Sequence, residues 1–197
     1  MNSHTPEYEA YFRYLRGISF TGRIYKRYFS SPLLFFCARR YGPRLVEVGS
    51  GTGSGVLGAF PASVVGLEIN PFAVKFSRDI GLRASLVNDD GSFPLEDQAF
   101  DACIFDNVLE HIERPKAVLD ECSRVTGPNG GLVVCVPGVR GFESDSDHKV
   151  FYDETRLKHL DDRWVMTTLF ALPTIIRSKA LSKSIRQYCL VAVYRKA

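Results

Sequence analysis

The stretch Val46-Glu47-Val48-Gly49-Ser50-Gly51-Thr52-Gly53-Ser54-Gly55 constrains the fold more than any other in this chain. Residues 44–48 read as a short strand, a glycine cluster ends it, and residues 52–60 fit a short helix. Glycine permits a tight turn and lets a ligand approach the backbone closely. Strand, glycine turn and helix in that order suit an open α/β sheet that binds its ligand at the carboxyl ends of its strands.

The rest of the chain repeats the alternation. Residues 63–68 form a second strand, and Asn70 then reads as an N-cap with Pro71 at the first helical position and Gly81 closing the helix. Residues 83–87 and Phe100–Asp106 fit a third and a fourth strand. Pro115 opens a helix with Val118, Leu119, Cys122 and Val125 on one stripe. That helix stops at Gly127-Pro128-Asn129-Gly130-Gly131, and the unbroken apolar run 132–136 suits a strand buried on both faces. Residues 162–170 and 186–195 are two later strands with no clear crossover helix between them, which suggests an antiparallel addition at the edge. The expected fold is α/β: a doubly wound, mostly parallel seven-stranded sheet with an antiparallel edge strand and an N-terminal helical cap. One domain is expected, divided into the cap (1–42), a core (43–171), an insertion (172–185) and the last strand (186–197).

Charge separates the ends from the middle. Residues 1–45 carry eight Lys/Arg against two acids, residues 46–171 eleven against twenty, and residues 172–197 six against none. Eleven of the twenty-four aromatic residues lie in the first 41 positions, where Tyr8, Tyr11, Phe12, Arg13, Tyr14 and Arg16 recur on a helical period broken around 17–22. A second group, Arg23, Tyr25, Lys26, Arg27, Tyr28 and Phe29, follows the break. These ends read either as a solvated amphipathic surface or as a grip on an anionic or aromatic molecule. The five cysteines are odd in number and show no C-x-x-C pair, which speaks for buried free thiols in a reducing compartment and against a disulfide framework. No secretory signal and no membrane span is read, so a cytoplasmic protein is expected.

With the glycine turn, Glu68 nineteen residues after Gly49, Asp89 and Asp90 after the third strand, and Leu109-Glu110-His111 after the fourth, the chain resembles the class I S-adenosylmethionine-dependent methyltransferases. It is most similar to the branch that includes quinone-biosynthesis and small-molecule enzymes. The resemblance is close over about residues 44–137 and looser through His148-Lys149-Val150-Phe151-Tyr152. It implies S-adenosylmethionine as cofactor, held by Glu47, Gly49, Ser50, Gly51 and Gly53, by Glu68 at the ribose with Ile69 beside it, by Asp89 on the adenine side with Asp90 beside it, and by Asn107. A dinucleotide-binding dehydrogenase is the structural rival, but its G-x-G-x-x-G would place glycine at position 54, which is Ser54.

The resemblance implies methyl transfer, most simply to oxygen, onto a small or lipid-linked acceptor such as a saccharide or quinone precursor. A hydroxyl acceptor needs a base, and His148 and His111 are the candidates; His4 and His159 read as structural or terminal. Some relatives carry E-x-x-E-H after the fourth strand and bind a divalent ion. Here Asn107 replaces the first Glu, so no metal is expected. Residues 173–183 mix Ile175, Ile176 and Leu181 with Arg177, Lys179 and Lys183, which could meet an anionic membrane surface. The alternatives are an RNA methyltransferase using the basic ends and a non-catalytic cofactor-binding protein. Neither the N-P-P-Y nor the Pro-Cys signature of nucleobase enzymes is present, so nucleic acid is the less favoured partner. Sequence leaves the oligomeric state open.

Overall fold

The computed structural model describes residues 5–17 and 24–197. The expected histidine at position 4 and most of the expected break at 17–22 lie outside them. Helix α1 (Thr5–Arg16) is followed by a π-helical turn (Lys26–Ser30) that runs directly into α2 (Ser31–Arg39). Strand β1 (Leu45–Val48) leads through the glycine turn to the one-turn helix α3 (Val56–Ala59). Then come β2 (Val64–Glu68), α4 (Pro71–Asp79), β3 (Ala84–Leu86) and β4 (Phe100–Asp106). A 3₁₀ turn (Leu109–His111), α5 (Lys116–Val125) and β5 (Thr126–Pro137) complete the parallel part. Short helices α6 (Val139–Glu143) and α7 (Glu154–Lys158) precede β6 (Trp164–Leu172), α8 (Lys179–Ser184) and β7 (Cys189–Lys196).

The seven strands form one sheet in the order β3-β2-β1-β4-β5-β7-β6. The first five are parallel, and β7 pairs antiparallel with both β5 and β6. The antiparallel addition thus takes the form of β7 slotted between β5 and β6. The reversal of strand order between β1 and β4 opens the crevice that such sheets use for ligands.

Period-two alternation distributes the core over the two faces. In β4, Ala102 and Ile104 pack with Leu34 and Phe35 of α2 and with Val56 and Leu57 of α3. Cys103 and Phe105 face the other way, onto Leu119, Cys122 and Val125 of α5. Residues 132–136 of β5 are fully buried, as expected for a strand covered on both sides. Of the described thiols, four are buried and Cys37 is half-buried, and all five are free.

Several local signals act as read. Asn70 caps α4, its Oδ1 accepting from Phe72 N (3.0 Å) and Ala73 N (3.3 Å). The Gly-Pro-Asn-Gly-Gly turn becomes a bulge inside β5: pairing jumps from Phe100–Thr126 to Ala102–Gly131, with Asn129 left-handed at φ 59°. The bulge explains why the strand starts at Thr126, earlier than expected. Among the described residues, no helix is long and apolar enough to cross a membrane.

Ile104 has no exposed surface and sits mid-sheet. Replacing it, Ile104→Ala, is expected to cost about 2–5 kcal/mol, read from the urea unfolding midpoint; a loss below about 1 kcal/mol would contradict the packing described.

Candidate functional site

The glycine turn is built by close approach. Gly49 has φ +73°, and a Cβ there would stand 2.6 Å from the Val108 methyls. Gly51 has φ +53°, with only Leu15 methyls near the side chain it lacks. The Gly49 and Ser50 N–H groups both donate to Leu67 O, at 2.8 and 2.9 Å, and bind the turn to the end of β2. Gly51 N–H donates to Glu68 Oε2 (2.8 Å), and Asn70 N–H donates to Glu68 Oε1 (2.9 Å). Burial raises the Glu68 carboxyl above its ordinary range, and these N–H donors act against that rise. Each carboxylate oxygen accepts one bond here and has capacity for another, as a pair of ribose hydroxyls would require.

The turn forms one wall of a pocket of about 930 Å³, near the upper end of the roughly 300–1,000 Å³ typical of ligand sites. Of the expected cofactor residues, Glu47, Gly49, Ser50, Gly51, Glu68, Ile69 and Asn107 line it. Ser50 Oγ is buried there without a hydrogen-bond partner. Gly53 is not in the lining; its missing Cβ would strike Leu82. Asp89 and Asp90 are exposed on the turn after β3, outside the lining. Asp90 accepts from Ser92 N (2.9 Å) and Ser92 Oγ (2.6 Å), and so closes that turn. Val87, Gly91 and Phe93 occupy this end of the pocket instead.

Helix α1 contributes Tyr8, Tyr11 and Leu15 to the pocket. Phe12 sets it against α4, 5.8 Å from the Phe76 ring, and Asn70 Nδ2 donates to Tyr8 O (2.7 Å). The residue that caps α4 therefore also holds α1.

At the other end of the turn, Glu47 has a double task. Its carboxylate accepts from Val56 N (3.1 Å) and Leu57 N (2.7 Å), satisfying the first N–H groups of α3. Burial, and then the charge of Asp106, push its carboxyl up to about 7. Asp106, at the end of β4, meets Lys26 Nζ at 3.2 Å and accepts from Asn107 Nδ2 at 2.8 Å. Neither Lys26 nor Asp106 stands among the site residues expected from sequence, because no local motif links a lysine in the N-terminal segment to an aspartate eighty positions later.

The two candidate bases differ in placement. His111 lines the pocket, and its Nδ1 lies 3.3 Å from Asp147 Oδ2 without hydrogen-bond geometry. Burial, reinforced by nearby His148, lowers the His111 pKa, which favours the neutral ring. His148 is outside the lining; its Nδ1 sits 2.8 Å from Phe142 O, its ring stacks on Phe142, and its edge meets His111 with ring centres 4.7 Å apart. Glu110 Oε1 lies 3.7 Å from His148 Nε2, and both carboxyl oxygens of Glu110 are buried and lack hydrogen-bond partners. Ligand atoms of Glu110, His111 and His148 all lie within 4.8 Å of one another. Two imidazoles and a carboxylate are a donor set that a divalent cation can use.

The raised Glu47 carboxyl has a consequence for stability. An acid that holds its proton more tightly in the folded chain makes the folded state lose stability as pH rises from the unfolded value, its ordinary 4.5, to the folded value of about 7. Glu47→Gln removes that loss. The stability of the variant relative to the unsubstituted protein should therefore climb from about pH 5 and level off above about pH 7, as measured by urea unfolding at each pH. A pH-independent difference would contradict the assignment.

Comparison with known proteins agrees with this geometry. A family profile described as a methyltransferase domain matches residues 46–134. The demethylmenaquinone methyltransferase of Tropheryma whipplei is 29% identical over 99 residues, covering 48% of this chain and 41% of that protein. The ubiquinone biosynthesis O-methyltransferase of Xanthomonas oryzae pv. oryzae is 33% identical over 99 residues, 46% of this chain and 41% of that one. The aligned region thus spans about two-fifths of the length of these curated relatives. Among solved structures, geranyl diphosphate C-methyltransferase from Streptomyces coelicolor A3(2), in complex with Mg2+, geranyl diphosphate and S-adenosyl-L-homocysteine, superposes with a TM-score of 0.70 over all of both chains at 14% identity, a likeness of fold. Profile match, relatives and fold agree in one likeness: residues 46–134 are similar to a methyltransferase domain, and the chain shares the fold of a solved methyltransferase bound to S-adenosyl-L-homocysteine.

Proposed function

We propose that the chain transfers a methyl group from S-adenosylmethionine to an oxygen of a small or lipid-linked acceptor, a quinone or saccharide precursor being the class favoured. One observation carries this reading: Glu68 stands at the end of β2 in the pocket wall, bonded to Gly51 of the glycine turn. Both quinone-biosynthesis relatives support the acceptor class, and the O-methyltransferase among them supports the oxygen. Exposed Ile175 and Ile176 beside Arg177 and Lys179 support access to a lipid-borne acceptor at an anionic surface.

The cofactor would supply an electrophilic methyl on a sulfonium, so the chain has to orient and to manage one proton. Glu68 and the turn would fix the nucleoside, and Tyr8, Tyr11 and Leu15 would close the pocket against water. His111 would take the hydroxyl proton as oxygen gains the methyl and sulfur loses it. His148, held by Phe142 O, would position His111 edge-on rather than touch the acceptor. A second reading rests on the orphaned Glu110: with His111 and His148 it would hold a divalent cation, which would polarise the acceptor hydroxyl.

Calorimetry with S-adenosylhomocysteine should show sub-millimolar binding, and its absence would overturn the cofactor reading. Labelled methyl should enter the lipid or small-molecule fraction of a cell extract; label confined to RNA, or no transfer, would contradict the acceptor class. His111→Ala should lower turnover by about 10²–10⁴ with cofactor affinity unchanged, as loss of a general base does. Restoration of chelator-treated enzyme by Mg²⁺ or Zn²⁺ would favour the cation reading over a free base.

A further inference from the structure

Among the described residues, six of the eleven exposed large apolar side chains fall in two short segments: Ile24, Tyr28, Phe29 and Phe36, then Ile175 and Ile176. Exposure is therefore concentrated rather than scattered singly, and concentrated apolar surface marks an interaction site. The first segment is one helical run, residues 24–39, in which the π-helical turn continues into α2. Its inner face packs in the core through Leu34, Phe35 and Ala38. Its outer face departs from the polar stripe that a surface helix normally shows. Tyr28, Phe29 and Phe36 each keep at least 60% of their surface there.

Charge in the same run has one sign. Residues 24–40 carry Lys26, Arg27, Arg39 and Arg40 and no acid. Lys26 turns inward to Asp106, and Arg27 donates to Gly58 O (2.6 Å). Arg39 and Arg40 are exposed and make no ion pair among the described residues. The second segment adjoins the first. Tyr25 Oη donates to Gln187 O (3.5 Å), and Tyr188 Oη, one residue on, accepts from Ser178 N (2.9 Å), which ties the turn bearing Ile175 and Ile176 to the start of β7. Residues 172–197 also lack acids; Arg177 is paired with Glu154, while Lys179, Lys183 and Arg186 are exposed.

We propose that the outer face of helix 24–39, with the adjoining 175–186 segment, docks the protein on an anionic lipid bilayer, the rings and isoleucines entering the headgroup region and the cations meeting lipid phosphates. Rings and aliphatic side chains flanked by Lys and Arg are the composition of helices that lie in that interface. Phosphates of RNA would satisfy the cations equally, but Ile175 and Ile176 gain nothing from a nucleic-acid backbone and gain burial only from an apolar phase. The core of a protein–protein interface is depleted in charge, unlike this face. Lys26, on the same helix, lines the pocket, so docking brings that wall to the surface where a lipid-borne acceptor resides. In its purpose the proposal rests on the lipid-borne acceptor of the proposed function; the docking itself requires no catalysis.

Co-sedimentation with vesicles tests it, phosphatidylcholine mixed with phosphatidylglycerol against phosphatidylcholine alone. The protein should favour the mixed vesicles about tenfold or more, and the preference should shrink as salt rises. Phe29→Ser with Phe36→Ser should weaken that binding about tenfold or more. Arg39→Gln with Arg40→Gln should do the same, since each cation near an anionic surface contributes severalfold. Urea unfolding midpoints close to that of the unsubstituted protein show that both variants are folded. Equal binding to the two vesicle types, or anionic binding that neither variant weakens, would overturn the proposal. So would a solution dimer that Phe29→Ser with Phe36→Ser splits, since the face would then belong to a second copy. Methyl transfer into lipid without vesicle binding would overturn the docking alone, whereas vesicle binding without any transfer would overturn the methyltransferase reading and leave the docking in place.

Discussion

The structure turns on one hydrogen bond, from the Gly51 N–H to the Glu68 carboxylate. It joins the turn after β1 to the end of β2 and fixes a buried carboxylate against the backbone of Gly51, which has no side chain to obstruct it. A carboxylate this deep is tolerated only because N–H donors meet it. Those donors, Gly51 and Asn70, belong to the two segments that also begin the helices on either side. Asn70 in turn holds the backbone of Tyr8, so the same corner sets where α1 covers the pocket. Sheet, turn and cover are thereby referred to a single polar cluster a few ångströms across.

What was legible in the sequence was mostly local. The Asn-Pro start of α4, the bounds of β4 and the buried run 132–136 follow from capping chemistry and periodicity, which act over a few residues. The convergence of Glu47, Gly49 and Glu68 on one pocket was legible because their spacing is tied to one strand–turn–helix unit. Long-range pairings were not. Lys26 meets Asp106 through tertiary packing, and in sequence it is one cation in a run of cations and rings. The slot between β5 and β6 that receives β7 is likewise set by pairing across the sheet. Asp89 and Asp90 read in sequence as ligand groups after β3; here they stand on an exposed turn that Asp90 closes with Ser92, a local contact that spacing alone does not reveal.

The basic ends and acidic middle of the chain now have a local meaning. Acids of the middle segment, Glu47, Glu68 and Asp106, converge on the pocket and are buried there. The N-terminal segment returns one cation to that excess through Lys26 and supplies aromatic surface through Tyr8 and Tyr11. His111, Glu110 and His148 lie together on the side toward Asp147.

The central claim is that this crevice holds an adenosyl amino acid along the glycine turn. A crystal structure of the protein with S-adenosylhomocysteine tests it most directly. The account predicts both ribose hydroxyls on Glu68 and the adenine between Ile69, Val87 and Phe93. A nucleoside bound away from Glu68, or a crevice left without ligand at saturating concentration, would contradict it.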